Sequence, residues 1–132
     1  MATGFIPSVA NSILNFLFRG VSYTPPTTYY VKLHTADPGA AGTTAVAGNA
    51  TRKDLTAAMG TAASGAITNT AAITWSTGEV DTSEDYTHIS FWDASTSGTF
   101  WGSGLMTANA VTVGDEFTIP IGDLDASFAT AS

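Results

Sequence analysis

Histidine and cysteine are the first side chains to consider, because they hold most zinc ions in proteins. The sequence has two histidines, His34 and His88, and no cysteine. A zinc site needs three or four nitrogen or sulfur ligands, and two histidines about half a chain apart do not supply them. Both lie in stretches that alternate like β-strands. We therefore expect no metal site, and expect both rings to be hydrogen-bonded to neighbouring residues.

Clustered carboxylates are the second candidate chemistry. Glu79, Asp81, Glu84 and Asp85 lie within seven residues. A glycosidase needs two carboxylates held close together in a cleft, and calcium needs a set of oxygen ligands. The cluster lacks the D-x-D-x-D-G spacing of a calcium loop, so an exposed, solvated loop is the favoured interpretation.

Nucleotide and hydrolase motifs are absent from the sequence. There is no G-x-x-x-x-G-K, no strand-linked G-x-G-x-x-G and no G-x-S-x-G elbow. A Ser-His-Asp set can be composed from any serine-rich chain and therefore indicates little. The sequence predicts a protein that is not an enzyme and that needs no cofactor.

Exposed tryptophans are the usual signal of sugar binding. Trp75, Trp92 and Trp101 are the candidates for stacking on a glycan. In small β-domains, tryptophan more often fills the core or an interface, and that interpretation is favoured here. Sugar binding would gain support if the three indoles were exposed together in one groove.

Charge excludes several classes of partner. Four basic and eleven acidic residues give a net charge of −7, and charged residues make up only 11% of the chain, against about 25% in a typical domain. Binding to nucleic acid or to an anionic membrane relies on lysine and arginine. We therefore expect neither partner. A surface with few charges suits packing against other proteins or further copies.

The first 26 residues form a distinct segment. Val9, Ile13, Leu14, Leu17 and Phe18 recur at helical spacing, with Pro7 at the start, Ser8 as a candidate cap and Gly20 as the stop. An extended arm with Tyr23, Pro25 and Pro26 follows. Docking of the helix on its own sheet is favoured over docking on a neighbouring subunit.

That segment does not resemble a targeting or membrane-spanning sequence. The apolar stretch from Phe5 to Phe18 is followed, not preceded, by Arg19. This charge order is wrong for a signal peptide, and the stretch is too short for a membrane span. We expect the protein to be made in the cytoplasm without a signal peptide.

Short strand patterns fill the remainder of the chain. Seven are predicted, with the clearest turns at Asp37 to Gly39 and Asp93 to Gly98. Their predicted positions are Tyr29–His34, Arg52–Leu55, Ile67–Trp75, Thr87–Trp92, Thr99–Leu105, Phe117–Ile121 and Leu124–Phe128.

Three further expectations concern how these strands are arranged. Phe91 and Trp92 should face Phe100 and Trp101 across a hairpin, and the last two strands should pair with each other. Gly39 to Gly48 should be a long surface loop, because its side chains are too small to bury much.

These patterns predict a mostly β fold, a compact antiparallel β-sandwich or barrel with one short N-terminal helix. At 132 residues the chain is expected to be a single domain. Residues 1–26 would form its helix and docking arm, and residues 27–132 its β domain.

In residues 14–20, 30–39, 69–75, 87–98 and 114–124 the sequence resembles a family of small bacteriophage virion proteins. The resemblance runs in order from Ile13 to about Leu124 and is strongest from Leu33 to Gly39. It departs from the family between Thr56 and Ala66, where an aromatic strand is expected. It implies a tail-fibre, minor tail or capsid-decoration component without catalytic residues.

From the resemblance and the composition together, we expect a structural protein on the exterior of a phage particle, present in many copies. Its partners would be the major capsid or tail proteins and copies of itself. The residues predicted to dock are Ile13, Leu14, Leu17, Phe18, Tyr23, Pro25 and Pro26. The alternative is a carbohydrate-binding adhesion module at a tail tip.

Overall fold

The computed structural model describes residues 3–131 and is mostly β. Within them it contains one helix, α1 (Pro7–Arg19), and nine strands. The strands are β1 (Gly4–Phe5), β2 (Tyr30–His34), β3 (Lys53–Asp54), β4 (Ala66–Thr68), β5 (Ile73–Trp75), β6 (Glu84–Trp92), β7 (Phe100–Val111), β8 (Phe117–Ile119) and β9 (Asp125–Ser127). The predicted fold class is confirmed. The structure has two strands more than predicted. One is β1, and the other arises because the predicted Ile67–Trp75 strand is two strands, β4 and β5.

The largest sheet has five strands in the order β1-β7-β6-β2-β3, each antiparallel to its neighbour. Its centre is the predicted hairpin of β6 and β7, which places Trp92 opposite Phe100 with ring centroids 5.4 Å apart. Phe91 lies opposite Gly102. Trp101 therefore does not pair with Phe91 as expected, because the register shifts by a bulge between Phe91 and Trp92.

Two smaller antiparallel sheets complete the fold, β4 with β9 and β5 with β8. The expected pairing of the last two strands with each other is therefore wrong. The buried side chain of Asn69 explains the change of direction between them: its Oδ1 accepts hydrogen bonds from the N–H groups of Gly122 and Leu124. Pro120, expected inside a strand, lies just after β8.

One apolar core is shared by the large sheet and the β5–β8 pair. Val31, Leu33, Trp75 and Tyr86 are fully buried in it. Phe117 of β8 packs against two of these rings, with centroids 5.6 Å from Trp75 and 5.0 Å from Tyr86. This core between sheets is the arrangement of a small β-sandwich.

The segment from Gly39 to Gly48 is the surface loop expected, with half of its ten residues exposed, but other parts of it pack against the large sheet. Gly42 and Ala47 are buried, and Val46 forms a β-bridge with His34. A Cβ atom at Gly42 would overlap the ring of Phe100. Small side chains here allow the backbone of this segment to lie close to the sheet. The sequence analysis considered only that such side chains bury little surface themselves.

The helix begins and ends largely as predicted. Pro7 is its first residue, and Gly20 ends it in a left-handed conformation (φ 63°), with its N–H donating to the carbonyl of Asn15. Ser8 is not the cap; Ile6 occupies that position without a side-chain hydrogen bond. Ser8 instead accepts a hydrogen bond from the Ser12 hydroxyl at its carbonyl. We call residues 27–131 the body.

Candidate assembly surface

The C-terminal half of α1 carries exposed apolar side chains. The exposed fractions of Leu14, Leu17 and Phe18 are 52%, 62% and 80%, while Ile13 is half-buried. Val9, Ile13 and Leu17 share one helical face, and that face changes from buried at Val9 to exposed at Leu17. The expectation that the helix docks on its own sheet is therefore wrong for most of its apolar surface.

A short strand ties this helix to the body. Gly4 and Phe5 of β1 pair with Ser103 and Gly102 of β7, and the Ile6 N–H donates to the Trp101 carbonyl over 2.9 Å. A Cβ atom at Gly102 would overlap the backbone of Gly4. Glycine at this position thus allows β1 to approach, and β1 in turn fixes where α1 starts.

The extended arm after the helix ends in an aromatic cluster. Tyr23 and Tyr29 contact the Trp101 ring, with centroids 6.4 and 5.8 Å from it. Pro25 is exposed and Pro26 is half-buried. Burial raises the pKa of the Tyr23 hydroxyl above its usual value. Among the described residues, the Tyr23 hydroxyl and the Trp101 Nε1 are buried without a hydrogen-bond partner.

An open apolar cleft of about 1020 Å³ lies beside this cluster. We call it the cleft; its walls include Val9, Ile13, Phe91, Trp101, Ile119 and Leu124. Among the described residues that line it, the charged ones are Asp123 and Asp125, both exposed. The cleft therefore combines an apolar lining with an acidic edge.

The three tryptophans are not exposed together. Trp75 is fully buried and donates to the Thr51 carbonyl over 2.9 Å. Trp92 is 6% exposed and donates to the Ser90 hydroxyl, with the Arg52 guanidinium 3.9 Å from its ring centroid. Trp101 alone is half-buried and reaches the cleft.

The two histidines are neighbours across strands β2 and β6, a proximity that the sequence did not indicate. His34 is fully buried: its Nδ1 lies 2.9 Å from the Thr44 carbonyl and its Nε2 lies 2.7 Å from the Ser90 hydroxyl. His88 Nδ1 lies 2.8 Å from the Thr87 hydroxyl. The expectation that both rings hydrogen-bond to neighbours is confirmed.

Burial holds the pKa of His34 below its usual value, because a charged ring would lose its hydration there. The positive charge of Lys32 and the nearby His88 lower it further, whereas the carbonyls of Thr44 and Ala45 oppose the shift. His34 is therefore a neutral structural residue that joins β2 to β6 and to the packed 39–48 segment.

The acidic stretch from Glu79 to Asp85 is only partly the exposed loop expected. Its Val80 is fully buried, and Glu84 begins β6, where its carboxylate accepts from the Gly48 N–H over 2.8 Å. Glu79 forms an ion pair with Lys53 at 2.6 Å. The hydrogen bond from Lys53 is the main cause that lowers the Glu79 pKa, and the Ser76 N–H adds to it.

Within residues 3–131, no group of three or more histidine or acidic side chains is arranged to hold a metal ion. No helix in the same residues is long and apolar enough to cross a membrane. What the arrangement does offer is surface for contact: exposed apolar side chains on α1, two unpartnered polar groups at the arm, and the cleft.

Sequence reasoning missed the cleft, the role of Asn69 and the contact of Tyr23 with Trp101. The last two join residues more than fifty positions apart, so no local spacing signals them. The sequence did identify the apolar residues of α1. Most of them are exposed because the body covers only the start of the helix, at Val9.

Comparison with known proteins gives one finding on identity. No curated protein matches this sequence. Residues 4–127 match the family model described as "Podophage GP4 fiber I protein gp80". The match covers almost the whole chain. The chain therefore belongs to this podophage fibre family and is a structural component of a phage virion.

Proposed function

We propose that this chain is a non-enzymatic fibre component on the exterior of a podophage particle, folded as one domain and present in several copies. Residues 1–26 serve as the helix and docking arm, and residues 27–132 form the β domain. The contact residues are Ile13, Leu14, Leu17, Phe18, Tyr23, Pro25 and Pro26. The family match supports the fibre role, and the exposed apolar end of α1 is the single observation that carries the docking role.

The energetics of that helix end favour a protein partner. Fully burying one leucine or phenylalanine side chain stabilises an interface by roughly 1.5–3 kcal/mol. Leu14, Leu17 and Phe18 lie within five residues and are at least half exposed. Covering all three would stabilise an interface by several kcal/mol, before the loss of motional freedom on binding is subtracted.

The unpartnered Tyr23 hydroxyl and Trp101 Nε1 add support at the arm. A buried polar group without a partner destabilises a fold by about 1–3 kcal/mol. A shift of the arm on binding, which opens these groups to acceptors from a neighbouring protein, would remove that cost.

Composition supports virion proteins as the partners. A net charge of −7 repels packaged nucleic acid and anionic lipid alike. With charged residues at only 11%, few ions lose hydration when the surface is covered. Repetition of modest contacts in a particle gives strong attachment through avidity.

The family description favours a fibre over a capsid-decoration role. Copy number separates the two: quantitative mass spectrometry of purified particles, normalised to the major capsid protein, should give a few to a few dozen copies. Hundreds of copies would instead place the protein on the head lattice.

The docking role is tested by particle loading. A Leu17→Ser/Phe18→Ser variant should fold normally, because both residues are exposed, and should be depleted from particles at least tenfold. Val113→Ser removes an equally exposed apolar side chain (59%) from the body and should load normally. Full loading of the double variant would overturn the proposal.

Sugar binding has less support than structural assembly. Trp75 and Trp92 are buried in the body, which leaves Trp101 as the one candidate indole that reaches a cavity. A glycan array probed with the whole protein would reveal this activity directly. Binding lost on Trp101→Ala, with folding unchanged, would revive the alternative.

A further inference from the structure

We infer that the cleft of one copy holds the exposed end of α1 from a second copy, so that the subunits join head to tail. The inference rests on the proposed role of α1 as the docking element and names what that element binds. It assigns two different surfaces to one contact: the helix end with Leu14, Leu17 and Phe18, and the cleft.

Charge is the first argument for this occupant. Arg19 is the only charged side chain in residues 1–31, and all eleven acidic residues follow them. Arg19 lies at the exposed C-terminal end of α1, next to Phe18. The charged residues lining the cleft are Asp123 and Asp125. A helix that enters with its apolar side chains would thus bring its arginine to an acidic edge.

Apolar complementarity is the second argument. The cleft has walls of aromatic and aliphatic side chains, among them Phe91, Ile119 and Leu124. Its volume of about 1020 Å³ is at the upper end of pockets that hold compact organic ligands, and it is open at one side. The end of a helix with leucine and phenylalanine matches that shape and chemistry.

The chain's own helix end does not fill the cleft. Pairing of β1 with β7 fixes the start of α1, and Val9 and Ile13 form one wall. Leu17 and Phe18, further along the helix, remain exposed. The side chains that suit the cleft are therefore held outside it by the same connection that places the helix beside it.

A parallel pairing of helix against helix is disfavoured by the same charges. In a close parallel bundle of identical helices, the Arg19 side chains would approach one another without an acidic partner from α1 or the arm. In the head-to-tail contact each Arg19 meets Asp123 and Asp125. Such a heterologous contact makes a ring when the rotation closes and a chain when it does not.

Two variants, each of which disables one of the two contact surfaces, test the contact in purified protein. Leu17→Ser/Phe18→Ser disables the helix and keeps the cleft, whereas Asp123→Lys/Asp125→Lys disables the cleft and keeps the helix. Each variant alone should be monomeric in sedimentation equilibrium. Their mixture should form a 1:1 dimer of twice the 13.5 kDa chain mass, because one functional helix meets one functional cleft.

Two controls match these variants. Val113→Ser removes an exposed apolar residue elsewhere, and Asp81→Lys/Glu116→Lys makes the same charge change at exposed positions outside the cleft. Both should self-associate as the wild type does. Arg19→Glu should weaken self-association at least tenfold, and combining it with Asp123→Lys/Asp125→Lys in one chain should restore it.

Several outcomes would overturn the inference. These are a monomeric wild type at millimolar concentration, a mixture that stays monomeric, or a cleft variant that still self-associates. If the mixture stays monomeric while Leu17→Ser/Phe18→Ser still fails to load into particles, α1 binds a different virion protein. The proposed function then stands and the inference fails. Normal loading of that helix variant would instead remove the proposed function.

Discussion

The body and the helix use apolar side chains in opposite ways. In the body, Val31, Leu33 and Trp75 are completely enclosed between sheets. In α1, Val9 is the one buried residue, and Leu17 and Phe18 are mostly exposed. Both regions are rich in large apolar residues, so composition alone does not distinguish them.

The difference separates stability from assembly. Residues that already contact one another stabilise the fold, whereas exposed ones are available to another protein. Substitutions in the body should therefore change the free energy of unfolding, and those at the helix end should change association. Four experiments test this division, from the largest expected effect to the smallest.

Removing the central indole should cause the greatest loss. Trp75→Ala deletes a fully buried ring that packs 5.6 Å from Phe117 and donates to Thr51, so we expect a loss of about 3–5 kcal/mol. Phe18→Ala should change stability by less than about 0.5 kcal/mol. Urea unfolding followed by circular dichroism measures both. If both variants lost the same free energy of unfolding, the body and the helix end would not differ in their contribution to stability.

A polar residue of the body should rank next. Asn69 is fully buried, accepts from Gly122 and Leu124, and donates to the carbonyls of Ala71 and Pro120. Asn69→Ala removes these four hydrogen bonds. The Gly122 N–H and the Pro120 carbonyl keep backbone partners, but the Leu124 N–H and the Ala71 carbonyl lose the amide, and we expect a loss of about 3 kcal/mol.

Asn109→Ala is the matched control for that change, because Asn109 is exposed on β7. Its urea midpoint should stay within error of the wild type. A mild effect of Asn69→Ala, similar to that of the control, would show that the turn between β8 and β9 holds without the amide.

Acidification should weaken the body through His34. Its folded pKa is lowered by burial, so its contribution to stability is complete above the unfolded value of about 6.5 and is lost as pH falls below it. Thermal unfolding should therefore occur at a lower temperature at pH 5.5 than at pH 7.5.

The variant His34→Gln should reduce that pH dependence, because it removes the buried titrating ring. An unchanged pH dependence in His34→Gln would assign the effect to other groups. The helix α1 contains no histidine. The amount of protein loaded into particles through α1 should therefore not change between pH 5.5 and pH 7.5.

The smallest effect should come from the ion pair of the body. Lys53 and Glu79 are 2.6 Å apart, with side chains about one quarter exposed, and such pairs contribute roughly 0–1 kcal/mol. Lys53→Met should lose no more than this and should raise the Glu79 pKa, which NMR titration would detect. A loss above 2 kcal/mol, on the order of a core substitution, would contradict this ranking.

Local features were predictable from sequence. The helix from Pro7 to Gly20 and the strand from Tyr30 to His34 follow from spacing and from residues that start or stop such elements. The turn that ends at Gly98 follows from its composition, and Gly98 adopts a positive φ of 74° there. Each of these signals is complete within about a dozen residues.

Long-range partners were not predictable. The pairings of β8 with β5 and of β9 with β4 depend on Asn69, more than fifty residues before Leu124. Burial of Gly42 depends on Phe100, and the cleft depends on five separated parts of the chain. For the candidate site, sequence indicated the helix residues but not that most of them would be left uncovered.

The connection between β1 and β7 also affects the order of events during synthesis. Phe5 pairs with Gly102, about 100 residues later in the chain. The segment with α1 therefore leaves the ribosome long before its strand partner exists, and at 5–20 residues per second the delay is on the order of 5–20 s. Throughout that time its leucines and phenylalanines have no fixed position. The segment with α1 is thus open to aggregation during synthesis, and a chaperone that binds it would protect it until the β6–β7 hairpin emerges.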